Sequence, residues 1–216
     1  MAPLVSCNFV SGCAVHPGFA TAWKEVSEDV LAALESAAAL HESYAIIVTG
    51  HSLGGAVATI AAGHLRRDGF DIDLYTYGSP RVGNLAFATF ITNQAGAEYR
   101  VTHADDPVPR VPPMLITYRH TSPEYWIDST DARGAVTAST VIVCEGYSNT
   151  KCNAGTFGLD TGAHGWYFQA TGQCPAGGAR LRRDENVNDA DLERVLNLYT
   201  ELDILAAKKL HDQGQE

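Results

Sequence analysis

The spacing of apolar and polar positions divides the chain into a layered front half and a looser back half. Residues 18–41, "GFATAWKEVSEDVLAALESAAALH", place Trp23, Val26, Val30, Leu31, Leu34 and Ala38 at steps of three and four, which predicts a helix. "AIIV" (45–48) is short, branched and wholly apolar, the pattern of a strand buried on both faces. From Leu53 to Leu65 the helical pattern returns, alanine-rich enough to lie close against a sheet, and Asp68-Gly69 stops it. "DIDLYTY" (71–77) alternates as a strand, "RVGNLAFATFITNQAG" (81–96) reads as a helix ending at glycine, and "AEYRVTH" (97–103) as another strand. This succession requires right-handed parallel crossovers, so the expected class is α/β, a mostly parallel central sheet flanked by helices.

Beyond His103 the pattern loosens. "DDPVPRVPP" is too rich in proline to be a central strand. One late strand, "VTASTVIVC", stands out before "GAHGWYFQ" (162–169). From Arg180 the composition shifts to charged helix formers, and "DADLERVLNLYTELDILAAKKL" predicts an amphipathic helix with Leu192, Val195, Leu196, Tyr199, Leu202 and Leu210 on one face. Packing on the domain and pairing in a homodimer are both open to that face. The expected division is a domain over 1–176 and a helical extension over 177–216.

Composition narrows the function. The 216 residues suffice for one sizeable domain, and 45% of them are hydrophobic. Fifteen basic against twenty-five acidic residues give a formal charge of −10. That balance, with no basic cluster interleaved with aromatics, argues against nucleic acid and anionic membranes and leaves a neutral lipid surface open. No apolar run reaches the length of a bilayer span. The first residues, "MAPLVSCNFVSGC", lack the basic flank and apolar core of a signal peptide. Cys7, Cys13, Cys144 and Cys152 nevertheless fall as two local pairs without zinc-type spacing, which suggests disulfides and an extracellular setting, with Cys174 left over.

The chemistry centres on Gly50-His51-Ser52-Leu53-Gly54, a G-x-S-x-G motif between a predicted strand and helix. Such a serine occupies a strained corner that lifts its hydroxyl clear of the sheet. Glycines two residues to either side are expected to remove side chains that would collide there. The N–H of Leu53, at the helix N-terminus, becomes an expected oxyanion donor. A nucleophilic serine needs a base, and the base an orienting acid. Downstream histidines are His64, His103, His120, His164 and His211. His164, in a glycine-flanked loop near the domain's end, suits a base best, with His120 still open. Asp105 and Asp106 both follow a predicted strand, where sites collect in parallel sheets, and adjacent carboxylates diverge too much to share one role.

Between residues 10 and 174 the chain resembles the fungal class 3 lipases, a family that also contains feruloyl esterases. The resemblance rests on "VHPGFATAW", "VTGHSLGGAVATIAA", "DIDLYTYGSPRVGN", "YRVTHADDPVPRVPP", "HTSPEYWI" and "AHGWYF". It implies an α/β-hydrolase fold and a serine carboxylic-ester hydrolase working through an acyl-enzyme without metal or cofactor. Ser52 becomes the nucleophile, Asp106 the triad acid and His164 the base, with no catalytic part for Asp105. By the same analogy Pro80, Pro107, Val108 and Trp166 lie near the acyl groove, Pro107 replacing the usual branched aliphatic. The first activity implied is triacylglycerol lipase. A feruloyl esterase is the alternative, since "VCEGYSNTKC" is a little like a stapled loop of that branch, and a weak or inactive hydrolase remnant is a third reading. The sequence opens where, by the resemblance, the lid would end, so the N-terminal strands, lid and second oxyanion donor are expected to be missing. One lost donor costs about 3 kcal/mol in the transition state, and an open sheet edge favours association. Cys174 would lack its N-terminal partner, and the charged tail beyond Arg180 is not expected in the family.

Overall fold

The structure, a computed structural model, describes residues 3–129, 136–171 and 188–213. Two short strands, β1 (Val5–Ser6) and β2 (Ala14–Val15), precede helix α1 (Pro17–Leu40). Next come β3 (Ile46–His51), α2 (Leu53–Arg67), β4 (Ile72–Tyr77), β5 (Gly83–Asn84), α3 (Leu85–Thr92) and β6 (Glu98–His103). After proline-rich turns follow β7 (Tyr118–Arg119), β8 (Glu124–Ile127) and β9 (Val141–Cys144). Helix α4 (Thr161–His164), the β10 (Trp166–Tyr167) and β11 (Gln169–Ala170) hairpin, and α5 (Asp189–Asp212) complete the described chain.

The main sheet has the order β3-β4-β6-β8-β9. Its first four strands run parallel and β9 antiparallel. A second sheet, β1-β2-β5-β7, is antiparallel. The α/β class expected from the sequence is the one found. Alanine brings α2 close to β3 and β4: Ala56 and Ala62 are fully buried with Ile60 and Leu65 beneath them, facing Ile72 and Leu74. Each buried Ile or Leu contributes about 2 kcal/mol relative to exposure.

Several elements differ from the sequence reading. Among the described residues β3 stands at the end of the sheet, and it is not buried on both faces: Ile46 and Val48 pack on the core while Ile47 is 57% exposed. A short apolar run cannot distinguish the two cases, because only partners tell which side is covered. The helix read over 81–96 is confined to α3, since Asn84 caps it by accepting from the Phe87 N–H. β8 lies outside the strands that the sequence pattern predicts; it has four residues behind Pro123 and acquires its extended form from pairing with β6 and β9.

Within α1, Trp23, Leu31 and Leu34 join the core while Val26 and Val30 stay exposed. The Cys7–Cys13 and Cys144–Cys152 disulfides are formed; Cys174 lies outside the described residues. α5 packs on the turns at Val108–Arg110, Met114–Ile116 and Asn153–Gly155. Its buried face is Leu196, Thr200, Asp203 and Ala207, half of it polar, and Val195 is exposed. The apolar face read from the sequence is displaced because Asp203 is drawn inward by Arg81, at 2.8 Å.

Candidate active site

Ser52 sits between β3 and α2 with φ 56° and ψ −129°, a conformation costing roughly 1–3 kcal/mol for a residue with a Cβ. Its N–H donates to Tyr77 O at 2.9 Å, and Gly55 N–H returns to Ser52 O at 2.9 Å, so both flanks are held. As the first residues of the helix, Leu53 and Gly54 present N–H groups without an intrahelical acceptor. A Cβ on Gly50 would stand 2.3 Å from Gly54 O, whereas one on Gly54 would meet nothing within 4 Å. The symmetry expected around the serine is therefore absent. The second tight position is Gly55, where a Cβ would lie 2.9 Å from Ser79 Cβ.

Asp106 follows the end of β6 and is fully buried. Its Oδ1 accepts from Val108 N–H at 2.9 Å. Its Oδ2 accepts from His164 Nδ1 at 2.9 Å and from the Tyr167 hydroxyl at 2.5 Å. With Nδ1 donating, His164 Nε2 is the acceptor that faces Ser52 Oγ at 2.9 Å. Burial first, then the Asp106 charge, push the Tyr167 phenol well above its usual pKa, so it stays a donor. Gly78, at φ +58°, makes room: a Cβ there would lie 2.8 Å from Asp106 Oδ2 and 3.1 Å from His164 Nδ1.

The base is anchored through its main chain. Asp160 caps α4 by accepting from Gly162 and Ala163 N–H groups. His103 Nδ1 donates to Ala163 O at 3.2 Å and His51 Nε2 to His164 O at 2.8 Å. The His51 and His164 rings lie 4.6 Å apart, and burial lowers the His51 pKa, which keeps that ring neutral. Asn153 Nδ2 donates to Ala104 O and Asp106 O at 3.1 and 3.0 Å, fixing the turn that carries the acid. His51, Tyr167, Gly78 and Asn153 were not singled out from the sequence. Only the Gly after β4 carried a signal, as a glycine at a parallel-strand C-terminus.

The other candidate histidines lie elsewhere. His64 packs against Phe9 with ring centroids 4.5 Å apart and the planes tilted by 53°, and it accepts from Arg67 through Nδ1. It lines a groove of about 570 Å³ with Trp23, Leu31 and Ile60 that contains no residue of the Ser52 site. His211 is at the far end of α5. His120 is buried and donates Nε2–H to Pro109 O at 2.7 Å. Burial, then Arg100 and Arg81, hold its pKa well below the usual histidine value. The folded form therefore resists protonation where the unfolded chain, below pH about 6.5, accepts it. The contribution of His120 to stability is constant above that pH and falls as the medium becomes more acidic, at up to about 1.4 kcal/mol per pH unit. Urea midpoints at pH 7 and 5.5 are expected to differ less in a His120→Gln variant than in the parent.

Of the groove candidates, Pro107 is buried directly after Asp106, Val108 is half-buried, and Trp166 is half-buried with its indole N–H lacking an acceptor. Pro80 is buried and lines a small internal cavity with Thr59, Arg100 and His120. Asp105 lies beside the Gly158 turn, away from the His164 contact. No cluster of metal-ligating side chains occurs among the described residues.

An α/β sheet with a serine at a strand–helix corner, in line with a histidine and a buried carboxylate, defines a serine-hydrolase type of site. Residues 1–116 match the model of the class 3 lipases, and the chain belongs to that family. It is 52% identical over 198 residues to secreted mono- and diacylglycerol lipase 1 of Fusarium solani, covering 92% of this chain and 59% of that protein. That alignment is long enough to run past Arg180, into the segment expected to be foreign to the family. Secreted mono- and diacylglycerol lipase A of Penicillium camembertii is 45% identical over 162 residues, 73% of this chain and 52% of that protein. The crystal structure of mono- and diacylglycerol lipase from Aspergillus oryzae superposes with a TM-score of 0.75 at 44% identity, over 79% of this chain and 64% of that one. The chain thus spans a little over half to two thirds of the length of these relatives.

Proposed function

We propose that the chain hydrolyses the carboxylic esters of acylglycerols through an acyl-enzyme on Ser52. The observation that carries this reading is the unbroken line from Ser52 Oγ through the two nitrogens of His164 to Asp106 Oδ2, each step 2.9 Å. His164 Nε2 takes the Ser52 proton as Oγ attacks the ester carbonyl, and Asp106 stabilises the imidazolium. The oxyanion faces Leu53 N–H at the start of α2. Collapse of the intermediate breaks the ester C–O bond, and the departing alcohol leaves with the proton from Nε2. Water then attacks the acyl carbon, gives its proton to His164, and the fatty acid is released as Ser52 recovers its own.

Mono- and diacylglycerols are the favoured substrates, supported by the names of the relatives at 52% and 45% identity; triacylglycerols are the broader class. Pro107, Val108 and Trp166 border the acyl chain in this reading. Residues 1–176 form the hydrolase domain and 177–216 its helical extension. An extracellular setting agrees with the two disulfides and with relatives described as secreted.

A fluorophosphonate probe is expected to label the chain once, on Ser52. In a panel of monoolein, diolein, triolein and methyl ferulate, rates should be highest on the partial glycerides. Labelling elsewhere would overturn the nucleophile, and fastest turnover of methyl ferulate would overturn the substrate class.

A further inference from the structure

We infer that α5 is a brace for the acid and the base: Asn197, Thr200 and Asp203 are positioning residues that hold the two loops carrying Asp106 and His164 against each other. This rests on the triad reading given above. The three side chains lie at i, i+3 and i+6, on one helix face, and each bonds to one of those loops or to an arginine that spans them. Asn197 Oδ1 accepts from Gly158 N–H at 2.8 Å, in the segment that leads into α4 and His164. Asp203 Oδ1 accepts from Met114 N–H at 2.7 Å, in the segment that follows Asp106. Thr200 Oγ1 accepts from Arg110 Nη1 at 3.3 Å.

Arg110 joins both segments. Its guanidinium donates to Thr156 O at 2.9 Å and to Gly158 O on one side, and to Asp105 O at 3.4 Å on the other. Arg81 locks the remainder of the loop by donating to Arg110 O and Pro112 O at 2.8 and 2.9 Å, and it pairs with Asp203 Oδ2 at 2.8 Å. Arg81, Arg110, Thr200 and Asp203 are each about 1% exposed. A helix that only covered the domain would need an apolar face, whereas this one turns a carboxylate, a hydroxyl and an amide inward. Buried ion pairs add little net stability over apolar packing, and in this proposal the Arg81–Asp203 pair serves to fix geometry. The carboxylate and imidazole must be held to within fractions of an ångström, since displacement of about 1 Å can cost a hundredfold in rate.

Asp203→Asn keeps an acceptor for Met114 N–H but removes the charge that holds Arg81. Asn197→Ala and Thr200→Val each delete one bond without stranding a charge, and they serve if Asp203→Asn does not fold. In variants with parental near-ultraviolet circular dichroism, kcat on a soluble p-nitrophenyl ester is expected to fall about tenfold for Asp203→Asn and about threefold for each of the others, with KM within about twofold. The low-field His164 Nδ1 proton resonance, a mark of its bond to Asp106, should broaden or move upfield in the same variants. Folded variants that retain both the parental kcat and that resonance would overturn the brace. If Ser52→Ala leaves hydrolysis unchanged, the esterase reading fails, while the resonance still decides the brace.

Discussion

Replacing Asp106 by asparagine is expected to lower ester hydrolysis by about four orders of magnitude while the fold stays intact. The carboxylate accepts three hydrogen bonds, from Val108 N–H, His164 Nδ1 and the Tyr167 hydroxyl, and gives none. An amide of the same shape brings an NH2 group that must oppose one of these donors. Turned toward Val108, it sets donor against donor in a buried site. Turned toward His164, it forces the proton onto Nε2, and that nitrogen can then no longer accept from Ser52. Steady-state rates on a soluble ester, with circular dichroism as the control for folding, check this. A variant within tenfold of the parent would mean that Asp106 does not serve the base.

The second large effect concerns folding. Gly50→Ala places a methyl group 2.3 Å from Gly54 O, 2.4 Å from its carbonyl carbon and 2.6 Å from Gly55 N. All three are backbone atoms of the first turn of α2, so relief requires that the turn unwind or β3 shift. A loss of more than about 4 kcal/mol is expected, of a total that is typically 5–15 kcal/mol. Gly54→Ala is the matched control, because its Cβ meets nothing within 4 Å. It should unfold within about 0.5 kcal/mol of the parent or slightly later, as alanine is the better helix former. Urea midpoints measure both, and a Gly50→Ala chain as stable as the parent would show that the corner is pliable.

These residues also show which parts of the molecule the sequence discloses. The strand–serine–helix pattern points to Ser52, the glycine-flanked loop and the resemblance favour His164, and Asp106 is separated from Asp105 by the resemblance alone. α2, β4 and β6 were legible from their patterning, and β3 from its short apolar run, which does not disclose that Ile47 is exposed. β8 was not, because four residues give too few alternations to register. Nor was the inward face of α5. Leu196 belongs to the expected apolar face, but Asp203 turns inward toward a backbone N–H 89 positions away, which no local window contains. The same limit hid Tyr167 and His51, whose partners are 61 and 113 positions distant.

The pair of imidazole donors on the carbonyls of Ala163 and His164 has a consequence for motion during turnover. They pin the peptide on both sides of the base, so its main chain has no slack to contribute. What remains free is a small pivot of one ring about its own side-chain bonds. Shuttling a proton between an attacking oxygen and a departing one therefore asks for a tilt of a five-membered ring, and no loop has to travel.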